Sequence, residues 1–187
     1  MRVIAGKARS LRLKTIDGMD TRPTTDRIKE TLFNMLQPCL PDCRFLDLFA
    51  GSGAIGIEAL SRGAASCVFV ENSRKAAECI RENLRFTHLE DEARVMTEDV
   101  WTAIRQLDGE QPFDCIFMDP PYRKELELEA LKALENTTLV DDHTLLVVEA
   151  SLDTTWEKAE ALGYRVEKIK KYKTNQHVFL RREEGCV

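Results

Sequence analysis

From residue 44 onward the chain alternates short apolar runs with longer amphipathic stretches. The apolar runs Arg44–Leu48, Ser66–Glu71, Ala93–Thr97, Phe113–Asp119 and Thr144–Ala150 read as strands. Ala54–Arg62, Arg74–Phe86, Val100–Leu107, Glu125–Glu135 and Thr155–Ala161 read as the helices between and after them. Near-continuous apolar strands alternating with helices predict an α/β fold, a doubly wound parallel sheet covered on both faces. The end of the chain breaks this rhythm. Tyr164–Tyr172 and Gln176–Arg182 flank a Lys173-Thr174-Asn175 turn and predict a hairpin, so at least one late strand runs antiparallel. Ahead of residue 44, Arg2–Ala5 and Ser10–Thr15 read as two short strands around a turn at Gly6, with Leu11 and Leu13 alternating against Arg12 and Lys14. After an Asp17-Gly18 turn, a helix starts at Pro23-Thr24-Thr25, turns Ile28, Leu32, Met35 and Leu36 to one side, and stops at Pro38.

At 187 residues the chain has the length of one domain, here read as a small extension at 1–20 and a main domain at 21–187. With 43% hydrophobic residues and only 9 Gly and 6 Pro, disordered and collagen-like classes are excluded. The net charge of −5 excludes a general polycation, but the charge is uneven. Residues 1–36 hold 8 basic and 4 acidic side chains, a local +4 that leaves −9 for the remaining 151 residues. A second basic run, Arg165, Lys168, Lys170, Lys171, Lys173, Arg181 and Arg182 against Glu167, lies near the end. An acidic body with two cationic ends suggests a polyanionic partner touched locally, although such runs also occur as solvated faces.

No run approaches the roughly 18 apolar residues of a membrane span, and Met1–Lys7 lacks the apolar region of a signal peptide. The six cysteines form no Cys-x-x-Cys pair, and Cys39-x₃-Cys43 has no second half that would complete a zinc site. Cys67 and Cys115 lie in apolar runs and read as core residues. The expectation is a reduced, cytoplasmic protein, monomeric, without metal and without membrane contact.

Two segments carry chemistry. The first strand runs into Asp47-Leu48-Phe49-Ala50-Gly51-Ser52-Gly53-Ala54-Ile55-Gly56, in which residues 51–56 satisfy G-x-G-x-x-G between a strand and a helix. Glu71 follows 20 residues after Gly51, at the end of the next strand. Glycines there permit a tight turn and close backbone approach to a nucleotide, while the acid accepts hydrogen bonds from ribose hydroxyls. The pattern suits a dinucleotide or S-adenosyl-L-methionine. Asp47 favours the latter, because a carboxylate opposes a pyrophosphate but attracts a cationic amino-acid head group. Phe49 and Asn72 stand beside these residues as further candidates for holding the cofactor. After the third strand, Asp99 is placed to accept from an adenine amino group or to cap the following helix, and Val100 offers apolar surface to the ring.

The second segment is Phe113-Asp114-Cys115-Ile116-Phe117-Met118-Asp119-Pro120-Pro121-Tyr122. Consecutive prolines have no N–H and a fixed φ, so the backbone presents rigidly aimed carbonyl acceptors. Asp119 and the Pro120 carbonyl can both accept from the exocyclic amine of a base, and Tyr122 offers a ring for stacking worth roughly 1–3 kcal/mol. In a doubly wound sheet ordered 3-2-1-4-5, strands one and four flank the switch point, which brings both segments to one cleft. The histidines, His88, His143 and His177, read as structural.

These residues resemble the S-adenosylmethionine-dependent methyltransferases of exocyclic amines, with Asp47–Gly56 as the glycine-rich motif and Asp119-Pro120-Pro121-Tyr122 as the D/N-P-P-Y/F motif. The chain is more closely similar to RsmD, the bacterial small-subunit ribosomal RNA guanine-N2 methyltransferase family. That similarity includes Arg2–Lys7, Thr21-Arg22-Pro23-Thr24-Thr25-Asp26-Arg27, Phe45–Gly53 and Ile57–Ala64. The resemblance implies a Rossmann-like class I fold, a seven-stranded, mostly parallel sheet ordered 3-2-1-4-5-7-6 with strand seven antiparallel. It also implies an N-terminal β-hairpin extension that holds RNA, and methylation of one guanine of 16S ribosomal RNA in a partly assembled small subunit. Arg2, Lys7, Arg9, Arg12, Arg22 and Arg27 are the candidate RNA contacts, with Arg22 alternatively holding the cofactor or the Asp-Pro-Pro-Tyr loop. The Tyr172-Lys173-Thr174-Asn175 stretch departs from the Tyr-Gly turn expected of the family. Rival readings are an adenine-N6 DNA methyltransferase, a nicotinamide-dependent oxidoreductase, which leaves Asp-Pro-Pro-Tyr unexplained, and a catalytically silent RNA-binding assembly module.

Overall fold

The computed structural model describes residues 1–16, 26–121 and 125–183. In chain order the elements are α1 (Asp26–Leu36), β1 (Arg44–Asp47), α2 (Ala54–Ser61), β2 (Ser66–Val70), α3 (Arg74–Thr87), β3 (Ala93–Met96), α4 (Val100–Leu107), β4 (Cys115–Met118), α5 (Leu126–Leu134), β5 (Leu145–Ser151), α6 (Glu157–Ala161), β6 (Tyr164–Lys171) and β7 (Asn175–Arg182). The strands form one sheet in the order β3-β2-β1-β4-β5-β7-β6. Pairing is parallel from β3 through β5. β7 runs antiparallel to both β5 and β6, so the expected topology is the one observed.

β1, β2, β4 and β5 are apolar because both of their faces are covered, whereas the edge strand β6 is mostly exposed and charged. Leu32, Phe33 and Leu36 of α1, Ile57 and Leu60 of α2, and Ile80 and Leu84 of α3 pack with Phe45, Phe69, Phe117 and Val147 on one face. Ala103 and Ile104 of α4, Leu131 and Leu134 of α5 and Ala159 of α6 pack with Leu46, Val70, Ile116 and Val148 on the other. Each Leu, Ile, Val or Phe side chain among them contributes about 1.5–3 kcal/mol when fully buried. All eight residues of α2 are buried. Gly56 permits that approach, since a Cβ there would lie 2.3 Å from the Phe69 ring.

The N-terminal segment differs from the two strands expected. It makes a single antiparallel bridge, Arg2 to Arg12, flanked by Val3 N–H to the Leu11 carbonyl at 2.9 Å and Ser10 N–H to the Val3 carbonyl at 2.9 Å. The neighbouring donors are drawn off to α2. Ile4 and Ala5 N–H donate to the Glu58 carboxylate at 2.8 and 3.1 Å, and Lys7 N–H donates to the Ser61 carbonyl at 2.8 Å. Gly6 sits at φ +83°, so close to α2 that a Cβ would lie 1.7 Å from the Ser61 carbonyl oxygen. A ladder cannot continue where its donors already have partners.

Glu58 is the hub of this anchor. It pairs with Lys29 of α1 at 3.2 Å and with Arg62 at 2.8 Å, and the Glu58 and Lys29 side chains are fully buried. Lys29 also donates to the Arg2 carbonyl at 2.6 Å. Burial lowers the Lys29 pKa from its ordinary value, and the adjacent Glu58 carboxylate opposes that shift. The helix face read as Ile28, Leu32, Met35 and Leu36 is therefore shifted: Lys29 and Phe33 are buried with Leu32 and Leu36.

Candidate active site

The chain leaves β1 at Asp47 and turns sharply. Leu48 N–H donates to the Phe117 carbonyl at 3.0 Å, Ala50 N–H to the Val70 carbonyl at 3.0 Å, and Gly53 N–H to the Ala50 carbonyl at 2.7 Å. These bonds tie the loop to β4 and β2, its two neighbours in the sheet. Gly51 and Gly53 hold φ of +55° and +81°, which side chains resist. Glu71 fixes the loop from the far side: its Oε2 accepts from Gly51 N–H at 2.9 Å and its Oε1 from Ser73 N–H, at the cap of α3, at 2.8 Å. Each oxygen retains acceptor capacity for a hydroxyl. Asn83 of α3 reaches the loop as well. Its side-chain amide donates to the Ser52 carbonyl at 3.0 Å and pairs with the backbone of Lys14 at 2.8 and 3.1 Å, joining the N-terminal segment to the glycine loop.

A cleft of about 300 Å³ opens where β1 and β4 end. Phe49, Gly51, Glu71, Asn72, Val100, Asp119 and Pro121 line it together with Leu48, Val70, Glu98 and Leu126. Residues about 70 positions apart in sequence therefore meet at the switch point, as the topology requires. Asp47 and the glycines Gly53 and Gly56 are not among the residues that line it. Asp99 is engaged elsewhere: its carboxylate caps α4, accepting from Thr102 N–H at 2.9 Å and Thr102 Oγ1 at 2.8 Å. The acid at the cleft wall is its neighbour Glu98. Pro120 is buried beside Asp119. Tyr122 and Arg22 lie outside the described residues.

The electrostatics of the cleft are set by carboxylates. Asp47 is almost fully buried; its Oδ2 accepts from Gly56 N–H at 3.3 Å, while its Oδ1 has no partner. Burial pushes its pKa up to about 7, the Gly56 N–H and, more weakly, the Phe49 N–H pull it back, and the nearby Glu71 charge adds to the rise. Desolvation likewise raises Asp119 well above the usual carboxylate range, with Glu149 and then Asp47 raising it further. Such a constellation is completed by a positive charge. The apolar walls of Leu48, Val70 and Val100 suit the ring of a nucleoside, and Glu71 suits its ribose. The uncompensated charge of Asp47 favours a cationic group nearby.

The candidate RNA contacts divide. Arg2, Arg9 and Arg27 line a larger, more open hollow of about 560 Å³ with Asp26 and Glu30, and Arg12 lines an adjoining one with Arg2. That hollow is polar and carries no glycine loop, so the smaller cleft is the candidate cofactor site. Arg2 is paired with Asp26 at 3.1 Å, and Lys7 stands apart, paired with Glu92 at 2.9 Å. Among the described residues no three His, Cys, Asp or Glu side chains group as a metal site, and no helix is long and apolar enough to cross a membrane. Two polar groupings escaped the sequence reading, Asn83 with its three backbone contacts and the buried Glu149–His177 pair. The one sequence signal is Glu149, a charged residue inside the otherwise apolar β5; Asn83 lies in a helix rich in charged residues and gives none.

The sheet order, the switch-point cleft and the glycine loop facing Asp-Pro-Pro define a Rossmann-like class I methyltransferase fold. The family described as "Conserved hypothetical protein 95" matches residues 1–181. YlbH of Bacillus subtilis (strain 168) is 42% identical over 168 residues, covering 87% of this chain and 88% of that one. "Ribosomal RNA small subunit methyltransferase D" of Escherichia coli (strain K12) is 39% identical over 153 residues, covering 82% and 76%. The solved structure of yhhF from Escherichia coli aligns with a TM-score of 0.83 at 33% identity over 98% of both chains. The chain belongs to this family, that of the small-subunit ribosomal RNA methyltransferases D, RsmD.

Proposed function

We propose that the protein transfers the methyl group of S-adenosyl-L-methionine to the exocyclic N2 amine of one guanine in small-subunit (16S) ribosomal RNA, presented in a partly assembled subunit. The observation that carries this reading is the meeting of Asp119 and Pro121 with Gly51 and Glu71 in one cleft. Family membership supports the ribosomal RNA substrate. When bound, S-adenosylmethionine supplies an already activated, cationic methyl donor. Glu71 would hold its ribose, Val100 and Val70 would flank its ring, and the uncompensated Asp47 charge would favour its ammonium group. The protein's remaining work is in-line positioning and electrostatic support. The target base is unstacked and turned into the cleft. Asp119 and the Pro120 carbonyl accept from its amine and aim the nitrogen lone pair at the donor, and Tyr122 stacks on the ring. Arg2, Arg9, Arg12 and Arg27, on the side of the N-terminal segment, hold phosphates. Labelled methyl transfer to ribosomal RNA followed by nucleoside analysis tests the reading. N2-methylguanosine is the expected product, and N6-methyladenosine or no incorporation would refute it.

A further inference from the structure

A row of polar residues crosses the top of the sheet, one step above the core. Phe117 of β4 lies opposite Val147 of β5, and Val147 opposite Phe179 of β7, and all three are core residues of the same face. Two residues further along β5 comes Glu149, directly opposite His177 of β7. Two further along from Phe117 comes Asp119. Strand alternation places Glu149 and His177 on that same face, Asp119 follows the last residue of β4, whose partner Val148 precedes Glu149, and Asp47, opposite Phe117 on β1, lies one step nearer the core.

Glu149 and His177 are 4% and 0% exposed. The Glu149 carboxylate is clamped on both oxygens: Asn175 Nδ2 donates to Oε1 at 2.6 Å, and His177 Nε2 lies 3.1 Å from Oε2. The other nitrogen of His177, Nδ1, lies 3.1 Å from the Tyr172 hydroxyl. With the hydroxyl donating to Nδ1, Nε2 carries the proton and donates to Glu149, so that Glu149 accepts on both oxygens and can carry its charge, while Asn175 Oδ1 is left without a partner. The Phe117 ring stands edge-on to His177 at 6.2 Å. A buried, rigidly held carboxylate beside the Asp-Pro-Pro segment has no part in the reaction as derived so far. After desolvation, its charge raises the pKa of Asp119 and of Tyr172.

We propose that Glu149, clamped between Asn175 and His177, is a positioning residue whose charge makes Asp119 release a proton when a cationic methyl donor enters and reclaim one from the amine during transfer. The inference rests on the proposed function and adds its proton balance. Before binding, Asp119 stands next along the register to Glu149 of the neighbouring strand, with Asp47 one step nearer the core, and two like charges that act on it in this way favour retention of a proton. The donor's positive charge offsets them, and the Asp119 proton leaves to solvent. As the amine nitrogen bonds the methyl carbon, the carbon–sulfur bond breaks with its electron pair going to sulfur. The amine then sheds a proton to Asp119. With the donor's positive sulfur gone, Asp119 holds that proton as it did at the outset, so the cycle closes without another base. Among the described residues, the ionisable groups near Asp119 and Glu149 in this scheme are Asp47 of β1, Glu71 and Glu98 of the cleft wall, His177 of β7 and Tyr172.

Calorimetric titration of the full-length protein with S-adenosylmethionine and with S-adenosylhomocysteine, in buffers of differing ionisation enthalpy, counts the protons exchanged. Near neutral pH the methyl donor is expected to release more protons than the neutral-sulfur product, by up to about one per site. Glu149→Gln, or Glu149→Met if the first variant does not fold, should cut that difference by about half or more, since only one of the two like charges then acts on Asp119. Asn175→Ala, which loosens the same packing but leaves the Glu149 charge, should preserve it; a merely structural role would have all three variants behave alike. An equal proton count for the two ligands in the unaltered protein, or a full difference in Glu149→Gln, overturns the inference. Failure of both ligands to bind would instead overturn the proposed function.

Discussion

Glu58 and Asp47 are both carboxylates with almost no accessible surface, yet their surroundings are opposite. Glu58 accepts from two backbone N–H groups and pairs with Lys29 and Arg62. Asp47 has one long hydrogen bond and an oxygen without a partner. A buried charge that is fully compensated fixes architecture, here the seat of the N-terminal segment on α2. A buried charge left short of a counter-ion costs stability and is retained where a ligand supplies what is missing. The same sheet face thus carries a closed electrostatic account at the anchor and an open one at the cleft.

Breaking the closed side should have the largest effect. Glu58→Ala strands two buried cations and two backbone donors, and loss of one partner from such a network costs about 3–5 kcal/mol. Chemical denaturation should show that loss, with early proteolysis near Gly6.

The open side should respond in the opposite sense. Asp47→Asn removes an uncompensated charge, so the unliganded protein should become more stable at pH 8. The sign follows from the raised pKa of about 7. The folded state binds a proton more tightly than the unfolded chain, so stability falls as pH rises from about 4 through 7. Asp47→Asn should flatten that fall in a thermal-denaturation series. Affinity for S-adenosylhomocysteine should drop by about tenfold, roughly 1.4 kcal/mol. Destabilisation at pH 8 together with unchanged affinity would close the distinction between the two carboxylates.

The surface of the N-terminal segment should show the smallest effects. Arg9→Ala and Arg27→Ala, whose side chains line one hollow, should each lower the salt dependence of RNA binding by about one unit. Lys7→Ala should change it less, because Lys7 is already paired with Glu92.

The comparison also explains what could be read from sequence. The sheet was legible because strands buried on both faces have no polar periodicity to confuse with a surface. The cleft was legible because Gly51, Gly53 and Asp-Pro-Pro restrict the backbone locally. The N-terminal strands were not, because the alternation of Leu11 and Leu13 cannot reveal that Ile4, Ala5 and Lys7 donate to α2, more than 50 residues away. Lys29 escaped the helix face for the same reason: a lysine reads as solvent-facing until its partner Glu58 is known. Asp99 was ambiguous because one spacing serves both a helix cap and a cleft acid, and the Thr102 contacts show its carboxylate capping the helix. Glu149 and His177 meet only through the antiparallel register of β5 and β7, which no local pattern encodes.

The central claim is that the cleft divides its labour, with the glycine-loop side holding the donor and Asp119 directing the amine. Asp119→Ala measured for both S-adenosylhomocysteine affinity and the rate of methyl transfer to ribosomal RNA tests this most directly. The account predicts an affinity within about threefold of the unaltered protein, less than 0.7 kcal/mol, and a transfer rate lower by about a hundredfold or more, in the range of losing one preorganised polar contact. Transfer at an undiminished rate, or a loss of cofactor affinity as large as the loss of rate, would contradict it.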